Sequence, residues 1–238
     1  QLGHVSAEAA VLAVLGYDDV ASIDYFGTPT PAWCFRNGAT FSELAERAVH
    51  EWAQIHRRAA AFDTVLAAAA RESGGRRYAD LVALAWRQSI AAHKLVADER
   101  GLPAFLSKEC TSNGSIGTVD VSYPSVPLYL LHAPELVAGM LRPVLRFAAS
   151  DTWQEEYAPH DVGTYPRATG QTYGMRIDTV DPARQMPVEE CGNMLIMVAA
   201  HMVVTTNTIL ASEYHHLLRQ WAEYLIAHGL DPENQLCT

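Results

Sequence analysis

FSELAERAVHEWAQIHRRAAAFDTVLAAAARESGGRRYADLVALAWRQSIAAHKLVAD, residues 41–98, carries the pattern that decides the fold class. Leu44, Ala48, Trp52, Ile55, Ala59, Phe62, Val65 and Leu66 recur at spacings of three and four, which puts them on one face of a helix. Ser42 with Glu43 and Glu46 supplies a hydroxyl and carboxylates at the start, as a helix N-terminus prefers. Gly74-Gly75 interrupts the run, and Tyr78, Leu81, Val82, Ala85, Trp86, Ile90 and His93 resume it. Two long helices joined by a glycine turn predict an antiparallel helical hairpin.

Further helices follow downstream. Pro134-Glu135 opens one over 134–149, with proline and an acidic group in the first turn. A second is expected from about Pro187 to Asn207. Apolar nearly all round after Asn193, it reads as buried between other helices. A third runs from about Glu213 to His228, stopped by Gly229 and Pro232, with Leu217, Leu218, Trp221 and Leu225 on one side. Before all of these, residues 5–36 carry short apolar stretches, Val11–Leu15 and Ile23–Phe26, between Gly/Asp/Pro breaks, the pattern of strands. Residues 1–36 therefore read as the β-rich end of a preceding domain, and 37–238 as a helical part with long loops at Gly101–Tyr123 and Ser150–Met186. Loops of that length in a compact domain carry function or local structure. The fold class is mainly α, an incomplete α/α toroid. A closed ring has about six hairpins, so more polypeptide, or a second chain, is expected to complete it.

Composition narrows the function. The chain has 238 residues, 49% of them hydrophobic and 18% charged, which excludes a disordered chain. A net charge of −10 with only two lysines, Lys94 and Lys108, makes nucleic acid a poor partner. The longest unbroken apolar run, Met194–Ala200, falls short of the about 20 residues a bilayer crossing needs, so no membrane partner is expected. Cys34, Cys110, Cys191 and Cys237 form no CxxC; their even number allows two disulfides, and free thiols are equally compatible. There is no GxSxG, HExxH, P-loop or GxGxxG, so neither a nucleophile elbow nor a standard metal or nucleotide motif is present. His215 and His216 diverge by about 100° on a helix and do not share a metal. No cofactor is expected, and the Asp-rich loops show no EF-hand spacing for calcium.

Three stretches concentrate chemistry. Ser107-Lys108-Glu109-Cys110-Thr111-Ser112-Asn113-Gly114 leads to Thr118-Val119-Asp120-Val121-Ser122-Tyr123-Pro124, where Glu109 and Asp120 could serve as general acid and base. The plainer alternative is a surface hairpin with Asn113-Gly114 as its turn. In Tyr157-Ala158-Pro159-His160-Asp161-Val162-Gly163-Thr164-Tyr165-Pro166, His160 and Asp161 could bind a polar substrate or relay protons, or only cap backbone groups. Pro187-Val188-Glu189-Glu190-Cys191-Gly192-Asn193 puts Glu189 and Glu190 in the first turn of a helix with Asn193 beside them; these are also ordinary partners of the helix dipole. Trp153, in a polar loop, is the tryptophan expected near a ligand.

In this order, and together with Gly16-Tyr17-Asp18-Asp19 and Tyr25-Phe26-Gly27, these stretches resemble the fungal and bacterial glutaminase A family from about residue 10 to the end. The resemblance implies a large, often secreted protein with a β-rich N-terminal domain and a toroid similar to six-hairpin glycosidases. It also implies hydrolysis of L-glutamine to L-glutamate and ammonia. On that pattern this chain is a fragment or one subunit of a processed enzyme, secreted or periplasmic. Amide hydrolysis here would use Glu189 or Glu190 as one carboxylate and Asp120 or Glu109 as the other. Lys108, Asn113, His160, Asp161 and Asn193 would bind the ends or oxyanion of a small-molecule substrate, with Tyr123, Trp153 and Tyr165 lining it. Two rivals remain open: glycoside hydrolysis with paired carboxylates, and a non-catalytic sugar- or peptide-binding subunit.

Overall fold

The computed structural model describes residues 12–177, 179–232 and 235. By its contacts the chain forms two units. One holds the described residues up to Asp19 together with Cys34–Ala85; the other holds Val20–Trp33 and the described residues from Trp86 onward.

In the first unit most residues belong to α1, which spans Phe41–Ala91. Its start is fixed by Thr40, two residues before the expected Ser42 signature begins. The Thr40 backbone N–H and hydroxyl donate to Glu43 Oε2 at 2.7 and 2.9 Å, and Thr40 Oγ1 accepts from Glu43 N at 3.3 Å. That reciprocal box satisfies two N–H groups a helix start otherwise leaves orphaned. The break falls where the sequence puts it, at Gly75, with φ 78° and ψ −173°. The apolar stripe behaves differently from expectation. Ala70 and Ala79, on either side of the break, are buried, whereas Val49, Trp52, Ile55, Val65, Leu81 and Leu84 are exposed.

The second unit carries the core. Here α1 ends at Ala91, short of the expected Asp98, because His93–Ala97 is a strand, β3, paired antiparallel with β4, Pro103–Ser107. The connection is held by Asp98, whose Oδ1 accepts from Arg100 N and Leu102 N at 2.9 and 2.7 Å. Upstream, β1 (Ile23–Tyr25) and β2 (Thr28–Thr30) make a tight hairpin through Phe26-Gly27, both at positive φ. β1 also pairs in parallel with β5, Arg167–Ala168, so the N-terminal strands belong to this unit. β6 (Met175–Arg176) and β7 (Thr179–Val180) form a third small pair.

Among the helices, α2 (Val119–Ser122), inside the segment Gly101–Tyr123 expected as a loop, and α3 (Val126–His132), for which no element is expected, lead into α4, Pro134–Ala148. Gly139 lets α4 close onto β4: a Cβ there would sit 3.0 Å from Pro103 O. α5 spans Pro187–Thr205, α6 Ile209–Glu213 and α7 His215–His228, so the expected last helix is split at Tyr214. Val137, Leu141, Val144 and Leu145 of α4 pack with Phe105 and Leu106 of β4, with Cys191, Met194, Met197 and Val198 of α5, and with Leu217 and Trp221 of α7. Counted over its whole length, α5 is long and apolar enough to cross a bilayer by length and composition, which the count of unbroken apolar residues missed. Its buried face is occupied by α4 and α7. The fold is mainly α with short strands.

Candidate functional site

A ladder of short backbone hydrogen bonds builds the site inside the second unit. Beyond β4, Gly117 N donates to Ser107 O at 2.8 Å, Ile116 N to Gly163 O at 2.8 Å and Val162 N to Ile116 O at 3.0 Å. Val119 N then donates to His160 O at 2.9 Å, which sets the first turn of α2, and with it Asp120, beside His160. Gly163 is required at its place: its φ is 142°, and a Cβ would lie 2.0 Å from Arg167 O. From the far side, Pro187 starts α5 and aims Glu190 from its first turn into the same place.

Three side chains from three elements therefore converge. One donor atom each of Asp120, His160 and Glu190 lies within 4.8 Å of the others. His160 Nε2 is 3.9 Å from Asp120 Oδ1, and His160 Nδ1 donates to Asp161 Oδ2 at 2.9 Å. Asp161 is fully buried and saturated. Its Oδ1 accepts from Gly163 N and Thr172 N at 2.8 and 3.0 Å, and its Oδ2 also from Tyr173 N at 3.1 Å. A carboxylate so held fixes the imidazole with its proton on Nδ1 and turns Nε2 toward Asp120 and Glu190. Tyr173 stacks on the ring, 4.4 Å between centroids.

Glu190 is 1% exposed, and neither of its oxygens has a hydrogen-bond partner among the described residues. Asp120 Oδ1 and Asn193 Nδ2 are likewise buried and unpartnered. Burial first, then the charges of Asp120 and Glu189, hold the Glu190 carboxyl well above the usual carboxylate range, against the nearby Asn193 amide. Asp120 is also raised, by burial more than by Glu109, while His160 opposes. With about a quarter of its side chain exposed, Asp120 is the open member of the cluster. These three groups are the described residues able to hold a metal ion together.

The other predicted site residues fall around or apart from this centre. Glu109 accepts from Ser112 and from Thr118 Oγ1, the latter at 2.9 Å, and is near enough to raise Asp120 without joining the cluster. Glu189 is exposed on the first turn of α5. Lys108 Nζ lies 5.6 Å above the Tyr165 ring. Asn113 Oδ1 accepts from Ser115 N at 2.8 Å, and Gly114 has φ 77°, so this pair makes the turn that the plainer alternative assigns it. Tyr123 is half-buried against the core. Trp153 is buried between Phe147 and Tyr157, with its indole N–H donating to Tyr157 O at 2.8 Å. Cys34, Cys110 and Cys191 are free thiols, and Cys237 lies outside the described residues.

Sequence reasoning missed a supporting pair of glutamines. Gln171 Oε1 accepts from His160 N at 2.7 Å, and its amide donates to Tyr173 O and Gln185 Oε1 at 2.9 and 2.8 Å. Gln185 in turn donates to Gly174 O and Asp181 O at 3.2 and 3.3 Å. Both lie in or at the end of the long loop already marked as functional, and nothing in their spacing singles them out. A cavity of about 400 Å³ lies elsewhere, lined by Arg100, Arg142, His201, Leu210 and Glu213 among others, and shares no residue with the cluster.

Asp120 from α2, Glu190 from α5 and His160 from a loop thus bring two carboxyls and an oriented imidazole together on a mainly helical scaffold. The glutaminase A six helical-hairpin domain matches residues 75–238, and this chain belongs to that family. It is 30% identical to "Glutaminase A" of Aspergillus oryzae over 243 residues, covering 100% of this chain and 34% of that protein. It is 37% identical to a protein named "Probable glutaminase" from Arthroderma benhamiae over 137 residues, 57% of this chain and 15% of that protein. The chain thus spans about a third or less of the relatives' length. No solved structure matches it significantly.

Proposed function

We propose that this chain carries the water-activating centre of a glutaminase-type amidohydrolase, converting L-glutamine and water to L-glutamate and ammonia by carboxylate-assisted attack. The observation that carries the reading is the convergence of Asp120, His160 and Glu190, one of them open to solvent and the other two buried behind it. The family relationship to proteins named as glutaminases supports the choice of amide.

In this reading water lies against Asp120, whose carboxylate takes a proton as the oxygen attacks the side-chain carbonyl carbon. The C–N bond then breaks, and the proton returns to the leaving nitrogen, which departs as ammonia. His160, kept in place by Asp161, and Glu190 fix the water from behind. Asn193, beside Glu190, and Lys108, above the Tyr165 ring, are candidates for the substrate's polar and charged ends. The missing length of the relatives, in the same polypeptide or a second one, supplies the rest of the pocket.

Glycoside hydrolysis is the second reading, favoured by the six-hairpin scaffold. Its inverting form needs carboxyl groups about 6.5–9.5 Å apart, whereas oxygens of Asp120 and Glu190 approach within 4.8 Å. The natively purified protein, with any chain that copurifies, is to be incubated with L-glutamine and separately with a panel of aryl glycosides. Ammonia release is expected; sugar release without ammonia would overturn the amide assignment.

A further inference from the structure

The cluster of Asp120, His160 and Glu190 lacks the groups that would make it a self-sufficient hydrogen-bond network. Both Glu190 oxygens and Asp120 Oδ1 are buried without a hydrogen-bond partner among the described residues, although the Asn193 amide and a second carboxyl lie near. Buried polar atoms are nearly always partnered, and two carboxyls facing each other are satisfied by a shared proton or by a cation between them. The third member faces the same point. Because Asp161 is filled by backbone N–H groups and by His160 Nδ1–H, the ring can present only its Nε2 lone pair to the cluster. A carboxylate on one imidazole nitrogen that orients the other toward a shared point is the usual support of a metal-binding histidine.

We propose that Asp120 Oδ1, His160 Nε2 and Glu190 bind a divalent transition-metal ion of the zinc or manganese class. The donor set selects the class. One imidazole nitrogen with two carboxylates is unlike the all-oxygen cages of calcium and magnesium, and without a thiolate it does not suit copper(I). Three protein ligands leave at least one position for water, as catalytic rather than structural zinc sites do. Bonds of about 2.0–2.1 Å in a tetrahedron place ligands about 3.3 Å apart. The 3.9 Å between His160 Nε2 and Asp120 Oδ1, and the 4.8 Å limit of the whole set, then require only side-chain closure of roughly half an ångström to one and a half. Asp120 would bind through one oxygen and keep the other for the proton of the coordinated water. This deepens the hydrolytic reading of the same site and does not depend on glutamine being the substrate.

The test begins with the natively purified protein dialysed against a chelator. Zinc and manganese chlorides are titrated in calorimetrically, and bound metal is counted by elemental analysis after gel filtration. Wild type is expected to bind one equivalent more than Glu190→Gln, or at least 100-fold more tightly, with circular dichroism and melting temperature matched between the two. Asp120→Asn serves as a second variant should Glu190→Gln fold poorly, and it is expected to weaken binding at least tenfold. Equal stoichiometry and affinity in wild type and a folded variant would overturn the proposal. So would full ammonia release by chelated protein shown to hold no metal, which leaves the amidohydrolase reading standing. Metal binding without ammonia release would sustain the site and remove the amidohydrolase reading instead.

Discussion

At the scale of single residues, Asp161 and Cys191 separate positioning from reactivity. Asp161 touches no solvent, and its oxygens are occupied by His160 and by the N–H groups of Gly163, Thr172 and Tyr173. Asp161→Asn puts an N–H where only acceptors fit, so His160 loses its fixed orientation. We expect kcat to fall at least tenfold with KM changed less than threefold, measured by steady-state ammonia release. A purely structural role would lower the amount of folded enzyme and leave kcat per folded molecule unchanged. Cys191 is fully buried and accepts from Ala158 N at 3.3 Å, whereas Cys34 and Cys110 are exposed. Iodoacetamide on the folded protein should therefore label Cys34 and Cys110 and spare Cys191, as peptide mass mapping would show. His160 and Asp161 were legible as a pair because adjacent His and Asp in a Gly/Pro loop is an unusual juxtaposition. Gln171 and Gln185 were not, because their importance lies in meeting each other across a loop, which spacing does not encode.

At the scale of elements, the periodicities located most helices, and the errors have definite causes. The helical reading of the run from Phe41 carries on to Asp98 because the apolar pattern continues as far as His93 with no break before Asp98. Pairing with Pro103–Ser107 and the turn held by Asp98 turn that segment into a strand instead. Tertiary pairing there overrides local pattern. The first-turn cap was misplaced by two residues because Thr40-Phe41-Ser42-Glu43 contains two hydroxyls, and only the one three residues before Glu43 completes a box. Thr40→Ala should cost the start of α1 about 1 kcal/mol, readable as earlier fraying by amide hydrogen exchange over residues 41–46. Gly163 carries more weight in the loop that bears His160. A Cβ 2.0 Å from Arg167 O at a φ of 142° means that Gly163→Ala must shift backbone. A loss of roughly 2–4 kcal/mol is expected in urea unfolding.

At the scale of the whole molecule, the mainly α class was readable from helical periodicity, and the family from motif order, since five short stretches in sequence fall in place together. The site was readable only as a pool of candidates. Asp120, His160 and Glu190 lie 40 and 30 residues apart, and what joins them is the ladder from Ser107 to Gly163 together with the entry angle of α5, which three-dimensional packing decides. Stability should also respond to pH through His93. Burial pushes its imidazole down to about 4, against the Ser89 carbonyl that its Nδ1–H bonds at 2.6 Å. The unfolded chain takes up that proton below about pH 6.5 and the folded protein does not until about pH 4. Stability is thus complete above about 6.5 and falls by about 1.4 kcal/mol per pH unit down to about 4. Urea midpoints for wild type should decline across that window more steeply than for His93→Phe. The most direct test of the central claim is ammonia release from L-glutamine by wild-type protein and Asp120→Asn, with melting temperatures recorded beside it. The account predicts a loss of at least about 100-fold in the variant at an unchanged melting temperature. Turnover equal to wild type in a folded Asp120→Asn protein would contradict it.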